Sequence, residues 1–402
     1  MELICAMEEK DKLAGIDVYL LEVYQNRYTG FDTFRNEFLE GMLQYKELNL
    51  HVVVEEYPTD SIYAEVKRNI TYIYFPKING NKFMTLESFF RLAIKKTARM
   101  VFMSNFCPII FNVKAIKKIF PNAKVLHVIH DFPWLSTFKG DETAYVNFIL
   151  GNGNGELTVQ DDKFVRYCTY DLLESFELMD RIVCLCKSTY KILLDFYNIS
   201  IEKVCLIPNG IADYMTPFQS DEFLRIRKKF GVPNDGIIVL LSGRLTYSKG
   251  ADRIYEYLSR ISRLKKFYLM YMGQDDMNEW LPSNYSFPII PLGFLNLQEK
   301  HEIYSITDLG LFPSRFEQCS YVGIEYLMHG IPVLFTPSYG IRDMFDCHNA
   351  FSLNDTNPIT LKAVIDKREI ARESYLKNYT RKRMVDKYTS LIFKMFAINK
   401  CN

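Results

Sequence analysis

At 402 residues the chain is long enough for two or three domains, and its 48% hydrophobic and 15% aromatic content excludes a disordered polypeptide. A net charge of +1 excludes a protein that binds nucleic acid through its overall charge. The nine cysteines are scattered, and the close pair Cys184 and Cys186 lacks the two-residue gap of a zinc or redox motif, so reduced thiols are expected.

The opening MELICAMEEKDKL is too acidic and too weakly apolar for a signal peptide, and no run approaches the roughly 18 apolar residues of a spanning helix. A cytoplasmic protein is expected, at most peripheral at the inner face of a membrane. Strands are predicted at DVYLLEV (17–23), HVVVE (51–55), TYIYF (71–75), PIIFN (108–112), KVLHVIH (124–130), RIVCLC (181–186) and KVCLI (203–207). A second set follows at IIVLLSG (237–243), KFYLMYMG (266–273), FPIIPLG (287–293), DLGLFPS (308–314) and IPVLFT (331–336). Several are apolar without alternation, as strands covered on both faces are. Helical periodicity fills the intervals, at 33–46, 89–102, 251–264 and 296–306.

The pattern predicts an α/β chain with two doubly wound, Rossmann-like domains of parallel sheet facing each other across a cleft. PNGIADYMTPFQS (208–220) reads as the hinge, giving domains at 1–210 and 211–380. The helical stretch within 381–402 is expected to return to the first domain. GNGNGELTVQDDK (151–163) reads as a surface loop.

Three stretches carry chemistry. FEQCSYVGIEYLMHGIPVL (316–334) sets Glu317 in a loop and Glu325 inside a helix that starts near Ser320 or Tyr321 and stops at Gly330. Free amides at such a corner suit a phosphate, and a carboxylate one turn in suits a sugar's vicinal hydroxyls. The structural alternative is a helix-dipole partner and a solvated acid. LLSGRLTYSKGADRI (240–254) puts Arg244 and Lys249 at a strand's carboxyl end, beside Gly243 and Gly250, where a diphosphate would sit. An ordinary turn with an exposed lysine is the alternative. VLHVIHDFPW (125–134) ends a strand at His130, which either faces a ligand or pairs with Asp131.

LIPNGI (206–211), GRLTYSKG (243–250), LGFL (292–295), DLGLFPSRFEQCSYVGIEYLMHGIPVLFT (308–336) and HD (130–131) together resemble the group 1 glycosyltransferases of GT-B fold, which transfer sugars from nucleotide diphosphates with retention. The resemblance implies that Arg244 and Lys249 neutralise the donor diphosphate. It implies that Glu325 binds the donor ribose and Glu317 the donor-sugar hydroxyls. It places amides of Cys319, Ser320 and Tyr321 near sugar and phosphates, Gly293, Phe294 and Leu295 at the nucleobase, and His130 near the transferred sugar. The family's double glycine after the first strand is reduced here to Gly30 in Thr29-Gly30-Phe31. Gln318-Cys319-Ser320 replace its small or apolar residues, and Tyr339-Gly340-Ile341-Arg342-Asp343 carries one glycine where the family has two.

The chain holds no Asp-x-Asp, so donor binding without a metal or other cofactor is expected, the two cations taking that part. Front-face attack, with the leaving diphosphate helping to take the acceptor's proton, is favoured over double displacement. Nine basic residues against the single acid Glu87 lie between Lys82 and Lys124, and FFRLAIKKTARMVF (89–102) reads as a helix with Arg91, Lys95 and Arg99 in one row. That row is either a peripheral contact with anionic lipid, implying a lipid-linked saccharide acceptor, or a solvated face. Expected partners are thus a nucleotide-sugar donor and a saccharide or lipid-linked acceptor, without nucleic acid, in glycan or polysaccharide biosynthesis. Alternatives are a non-catalytic GT-B partner or chaperone subunit of another transferase, and a sugar-nucleotide epimerase.

Overall fold

The computed structural model describes residues 15–26, 30–106, 109–152, 157–215, 220–261, 264, 266–282, 285 and 287–397. The opening MELICAMEEKDKL, Thr29, Pro108 and parts of the 151–163 and 208–220 stretches lie outside the described residues. The chain divides into two compact units. The first contains the residues up to Trp134, Val146–Ile207 and those from Lys382 onward; the second contains Leu135–Tyr145 and Pro208–Arg381.

The first unit is built on an eight-stranded sheet: β1 (Ile16–Val23), β2 (Leu48–Tyr57), β3 (Tyr63–Lys67), β4 (Ile70–Pro76), β5 (Met100–Ser104), β6 (Lys124–Ile129), β7 (Arg181–Cys184) and β8 (Val204–Leu206). Their order across the sheet is β3-β4-β2-β1-β5-β6-β7-β8, with every pairing parallel except the β3–β4 edge. Seven of the eight residues of IDVYLLEV in β1 are buried, the unbroken apolar signature of a strand covered on both faces. The helix Arg381–Met395 belongs to this unit, where the Tyr388 ring meets Phe38 edge-on at 5.3 Å and Asp386 accepts a 2.6 Å bond from the Tyr45 hydroxyl.

The second sheet comprises β9 (Ile237–Ser242), β10 (Phe267–Met272), β11 (Ile289–Pro291), β12 (Leu309–Phe312), β13 (Val333–Phe335) and β14 (Phe351–Ser352), all parallel, in the order β11-β10-β9-β12-β13-β14. The chain winds outward from β9 through β10 to β11, then restarts on the other side of β9 with β12. Its topological switch point is therefore β9/β12, and the crevice for a ligand lies beyond the carboxyl ends of those two strands. By the same rule the switch point of the first sheet is β1/β5.

Two sequence expectations fail here, both between residues 82 and 120. The stretch 108–112, expected as a strand, enters the helix Ile110–Ile119, whose apolar Ile109, Ile110, Val113 and Ile116 recur at helical spacing. The strand is instead MVFMS (β5, Met100–Ser104), fully buried, which overlaps the end of the stretch expected as a helix over 89–102. The actual helix, Lys82–Ala93, begins at Asn81, whose side chain accepts the Met84 amide at 3.1 Å, and ends as Ile94 turns extended. Arg91, Lys95 and Arg99 therefore do not form one helical row. Acids also meet the bases: Glu87 within the stretch takes Arg91 and Lys118, and from outside it Glu174 takes Lys114 and Asp180 takes Lys117 and Lys124.

Candidate functional site

At the carboxyl end of β9 the chain turns through Gly243, at φ +112°, into Arg244. A buffer of polar groups fixes this turn. The Tyr271 hydroxyl donates to the Gly243 carbonyl at 3.1 Å, and Asp275 accepts the Leu245 amide at 2.6 Å. Arg244 is exposed and has no ion pair among the described residues. The turn then runs to Lys249 and to Gly250, which adopts the left-handed conformation at φ +71°. A Cβ at Gly250 would stand 2.0 Å from the Pro313 carbonyl oxygen, so glycine is required both for the torsion and for close approach to the end of β12.

The loop after β12 brings the opposite charge. Lys249 Nζ donates to Glu317 Oε1 at 2.5 Å, and the Glu317 amide is held by the Tyr339 carbonyl at 3.1 Å. Arg315 ties the two loops together. Its guanidinium forks onto both oxygens of Asp252 at 2.7 Å, donates to the Tyr247 carbonyl at 2.6 Å and lies 3.7 Å over the Tyr247 ring. Arg315 also holds the Asp252 carboxyl below its usual pKa. Ser242, Gly243, Arg244, Lys249, Glu317 and Ser320 line a recess of about 440 Å³, counting the part open to solvent, at the β9/β12 switch point.

The helix Tyr321–Met328 starts where the sequence predicts. Ser320 is its cap, accepting the Gly323 amide at 3.4 Å, and Gly330 follows the last turn at φ +63°. Cys319 is buried, and its carbonyl accepts a 2.9 Å bond from the Asn209 side chain, so the PNGI turn braces the loop that carries Glu317. Tyr321 opens the helix beside these residues.

Glu325 does not join the Lys249–Glu317 pair. It faces the helix Leu297–Ile306, where Oε1 accepts from Lys300 and Oε2 accepts from the Tyr304 hydroxyl at 2.7 Å; the Tyr214 hydroxyl reaches Oε1 at 3.2 Å. Burial and the Glu325 charge drive the Tyr304 phenol well above its ordinary pKa, so it stays a donor. Gly293 (φ +66°), the exposed Phe294 and Leu295 form the turn before this helix, and a reciprocal Asn296–Glu299 capping box fixes where it starts.

The two remaining predicted residues belong to the first unit. His130 follows β6, and its ring meets Phe31 and Phe34 edge-on at 5.0 and 4.6 Å. Burial pushes its pKa down to about 3, so the imidazole is neutral at physiological pH. Gly30 opens the helix Gly30–Met42, and a Cβ there would meet nothing within 4 Å, so no close approach requires glycine at that position. Arg244, Lys249, Glu317 and Ser320 are brought together in one recess, Glu325 sits in its own cluster, and His130 and Gly30 lie in the other unit.

Sequence reasoning missed Asp275, Arg315, Asn209, Lys300, Tyr304 and Tyr214. Lys300 and Tyr304 share a helix face at a spacing of four, which is a legible signal. Asp275 and Tyr214 lie in irregular segments, where no periodicity points to them.

At one end of a parallel sheet the arrangement offers two cations, a helix start and an acid beside the lysine. That combination suits a compact dianion bearing a hydroxylated group. Among the described residues, no group of three or more His, Cys, Asp or Glu side chains is placed to hold a metal ion, and no helix is long and apolar enough to cross a membrane.

Residues 222–383 match the family described as glycosyl transferases group 1. An uncharacterized glycosyltransferase of Methanocaldococcus jannaschii is 24% identical over 282 residues, covering 65% of this chain and 71% of that protein. The alpha-galactosylglucosyldiacylglycerol synthase of Streptococcus pneumoniae is 28% identical over 201 residues, 46% of this chain and 52% of its own. Among solved structures, a sucrose-phosphate synthase from Thermosynechococcus elongatus superposes with a TM-score of 0.70 at 14% identity, covering 95% of this chain and 99% of that one. Anabaena Alr3699/HepE in complex with UDP gives 0.65 at 12% identity, covering 94% and 100%.

Proposed function

We propose that this chain, whose residues 222–383 match the group 1 glycosyltransferases and whose fold is GT-B, moves a sugar from a nucleoside-diphosphate donor to an acceptor hydroxyl with retention at the anomeric carbon. The observation that carries this reading is the recess at the β9/β12 switch point, where Arg244 and Lys249 stand together with Glu317 against the Lys249 ammonium. In sugar transfer the bond from the anomeric carbon to the diphosphate breaks, and negative charge grows on the leaving phosphate. Groups that strengthen their hold as that charge develops lower the barrier. Arg244 can fork onto two phosphate oxygens, and Lys249 supplies a point charge already positioned by Glu317. Each such charge-assisted bond is worth about 1.5–3 kcal/mol.

In this reading Glu325 takes the ribose hydroxyls and Glu317 those of the sugar. The amides from Cys319 to Tyr321 meet the sugar and phosphates, the turn Gly293–Leu295 takes the base, and His130, neutral, donates to or accepts from the transferred sugar. The acceptor attacks from the side of the leaving diphosphate, which takes its proton, so Glu317 need not become a covalent nucleophile. With two cations on the diphosphate the donor binds without a metal. A donor affinity that disappears on chelation with EDTA and returns with magnesium or manganese would contradict this.

Anabaena HepE has been solved in complex with UDP and with UDP-glucose, which supports a nucleotide-sugar donor here. The similarity to the pneumococcal alpha-galactosylglucosyldiacylglycerol synthase supports a lipid-linked saccharide acceptor; glycan assembly at the cytoplasmic face of a membrane is part of the same proposal. The basic surface for that contact narrows to the end of the helix Lys82–Ala93, where the exposed Leu92 stands beside the exposed Lys95 and Lys96. Sedimentation with anionic vesicles should carry the protein down and spare Lys95→Glu/Lys96→Glu; equal sedimentation of the two would remove the membrane contact.

The donor reading is tested by thermal shift with UDP-, GDP- and ADP-sugars. One nucleotide series at a hundred times its dissociation constant should add about 2.7 kcal/mol of stability. Arg244→Ala and Glu325→Gln should each reduce that gain. A panel in which no nucleotide sugar stabilises the protein refutes the reading.

A further inference from the structure

The first sheet carries an aromatic row that the recess at β9/β12 does not use. Across four neighbouring strands, in the order β1-β2-β4-β3, one tyrosine follows another: Tyr24 immediately after β1, Tyr57 at the end of β2, Tyr74 in β4 and Tyr63 in β3. Their ring centroids succeed one another at 4.9, 4.5 and 4.7 Å. Tyr72, two residues before Tyr74 in β4, lies 6.5 Å from it. The row covers three inter-strand steps, about 14 Å, the length of a short oligosaccharide rather than of one sugar ring. It starts at the carboxyl end of β1, beside the β1/β5 switch point where an open sheet binds its ligand.

The backbone is distorted to complete this row. Val54 of β2 stands beside Tyr74 of β4, and strict alternation would turn Tyr57, three residues on, to the opposite side of the sheet. Instead the register shifts, so that Tyr57 pairs with Pro76 and its ring reaches Tyr74. The extra residue is accommodated with Glu56 at φ +57°, a left-handed torsion disfavoured for any residue with a Cβ. A bulge between parallel strands is rare, and bulges re-aim side chains beside functional sites. The Tyr24 amide, bonded to the Glu55 carbonyl at 2.8 Å, is fixed against the same bulge.

Tyr63 stacks on the buried Tyr74 at an interplanar angle of 20° and is 40% exposed on the edge strand, so its outer face is open; Tyr24, at the other end, is 37% exposed. The negative face of an aromatic ring suits the polarised C–H bonds of a sugar ring, and phenol oxygens suit its hydroxyls. The bordering charges are already paired. Glu65 takes Lys67 and, at 2.8 Å, the Tyr74 hydroxyl; Arg68 takes Glu40; and Arg35 takes Glu22 and Asp32. A neutral, hydroxylated ligand matches such a surface better than a phosphate backbone or an anionic lipid does. We propose that the row Tyr24–Tyr57–Tyr74–Tyr63 binds a neutral oligosaccharide, the sugar chain of the acceptor. Calling that chain the acceptor rests on the proposed function, whereas the row itself lies wholly in the first unit.

The test screens the full chain on an array of neutral glycans, then titrates the best-bound one calorimetrically into the wild type, Tyr24→Ala, Tyr63→Ala and the double variant. The wild type should bind an oligosaccharide in preference to its component monosaccharides. Each single substitution should weaken that binding about threefold to tenfold, and the two, at opposite ends of the row, should combine to about 10- to 100-fold. Tyr63→Leu, which keeps apolar bulk on the edge strand, carries the same expectation should the alanine variant fail to fold. A wild type that binds no glycan, or variants that bind it as the wild type does, overturn the proposal. So does a dimer in light scattering that Tyr63→Ala dissociates, which would make the row a contact between copies. Binding of UDP-, GDP- and ADP-sugars to the same samples separates the two readings. Glycan bound without any nucleotide sugar refutes the proposed function and leaves the row a saccharide site. Nucleotide sugar bound without glycan refutes the row alone.

Discussion

Glu55, wholly buried in β2, meets Asn112 through a single hydrogen bond, from the Asn112 amide to Oε1. Its Oε2 and the Asn112 Oδ1 have no partner among the described residues. One proton on Oε2 satisfies both atoms at once, as an acid–amide pair with two parallel bonds. Burial, opposed by the Lys82 charge and reinforced by Glu56, pushes the carboxyl from 4.5 up to about 7. A folded-state pKa above the unfolded one means that the stabilisation is complete below about 4.5 and is lost as pH rises toward 7. The difference amounts to about 3 kcal/mol. Glu55→Gln, which keeps both bonds without a titrating proton, should therefore flatten the rise of urea-unfolding stability with acidity between pH 7 and pH 5. A variant whose pH dependence matches the wild type would contradict the protonated acid.

His130 titrates in the other direction. Its depressed pKa contributes stability above the unfolded value of 6.5, lost as pH falls below it. The positions of Arg244, Lys249, Glu317 and Glu325 were legible because each is a charged residue in or beside a stretch that otherwise reads as buried strand or capped helix. The partners that hold them were not legible. Arg315 lies two positions from Glu317, but its target, Asp252, is 63 residues away, and only the fold brings them together. Arg315→Lys keeps the charge and loses the fork, so turnover should fall about tenfold or more with donor affinity nearly unchanged, if the loop holds Glu317 in register. An unchanged turnover number would mean that Arg315 serves stability only.

Among the elements, β9, β12 and the two turns that follow them make the recess at the switch point, and Gly250 is the joint between them. Gly250→Ala would force a Cβ against the Pro313 carbonyl at a left-handed torsion, so a loss of about 1–3 kcal/mol is expected in chemical denaturation. Stability equal to the wild type would show that the joint is slack. Strands such as IDVYLLEV and IIVLLS and the helix Tyr321–Met328 were readable because local signals and tertiary packing agree. The region from 89 to 112 was misread because MVFMS and IIFNV are both short apolar runs, which periodicity alone cannot assign. Part of the positive charge between Lys82 and Lys124 is answered from distant sequence, by Glu174 and Asp180.

For the whole molecule, the chain leaves the first unit at Leu135, contributes Leu135–Tyr145 to the second, returns at Val146, and comes back once more for the helix Arg381–Met395. Within the second unit, Arg342 pairs with Glu142 at 2.9 Å, and Gly140 packs against Arg315 and Phe316, next to Glu317. No composition shift announces that excursion, because its side chains are ordinary and only their destination is unusual. The returning helix is amphipathic and legible. Its Tyr388 is fully buried against Phe34 and Phe38, so Tyr388→Ala should cost the first unit about 3–5 kcal/mol while nucleotide binding by the second persists.

The proposed function rests on the recess at the β9/β12 switch point, and the most direct measurement is the affinity of a nucleoside diphosphate for the wild type, Arg244→Ala and Lys249→Met, compared with the matching nucleoside. Binding of the diphosphate should weaken about 10- to 100-fold in each variant while the nucleoside is unaffected. Diphosphate binding that is indifferent to both substitutions would contradict the account.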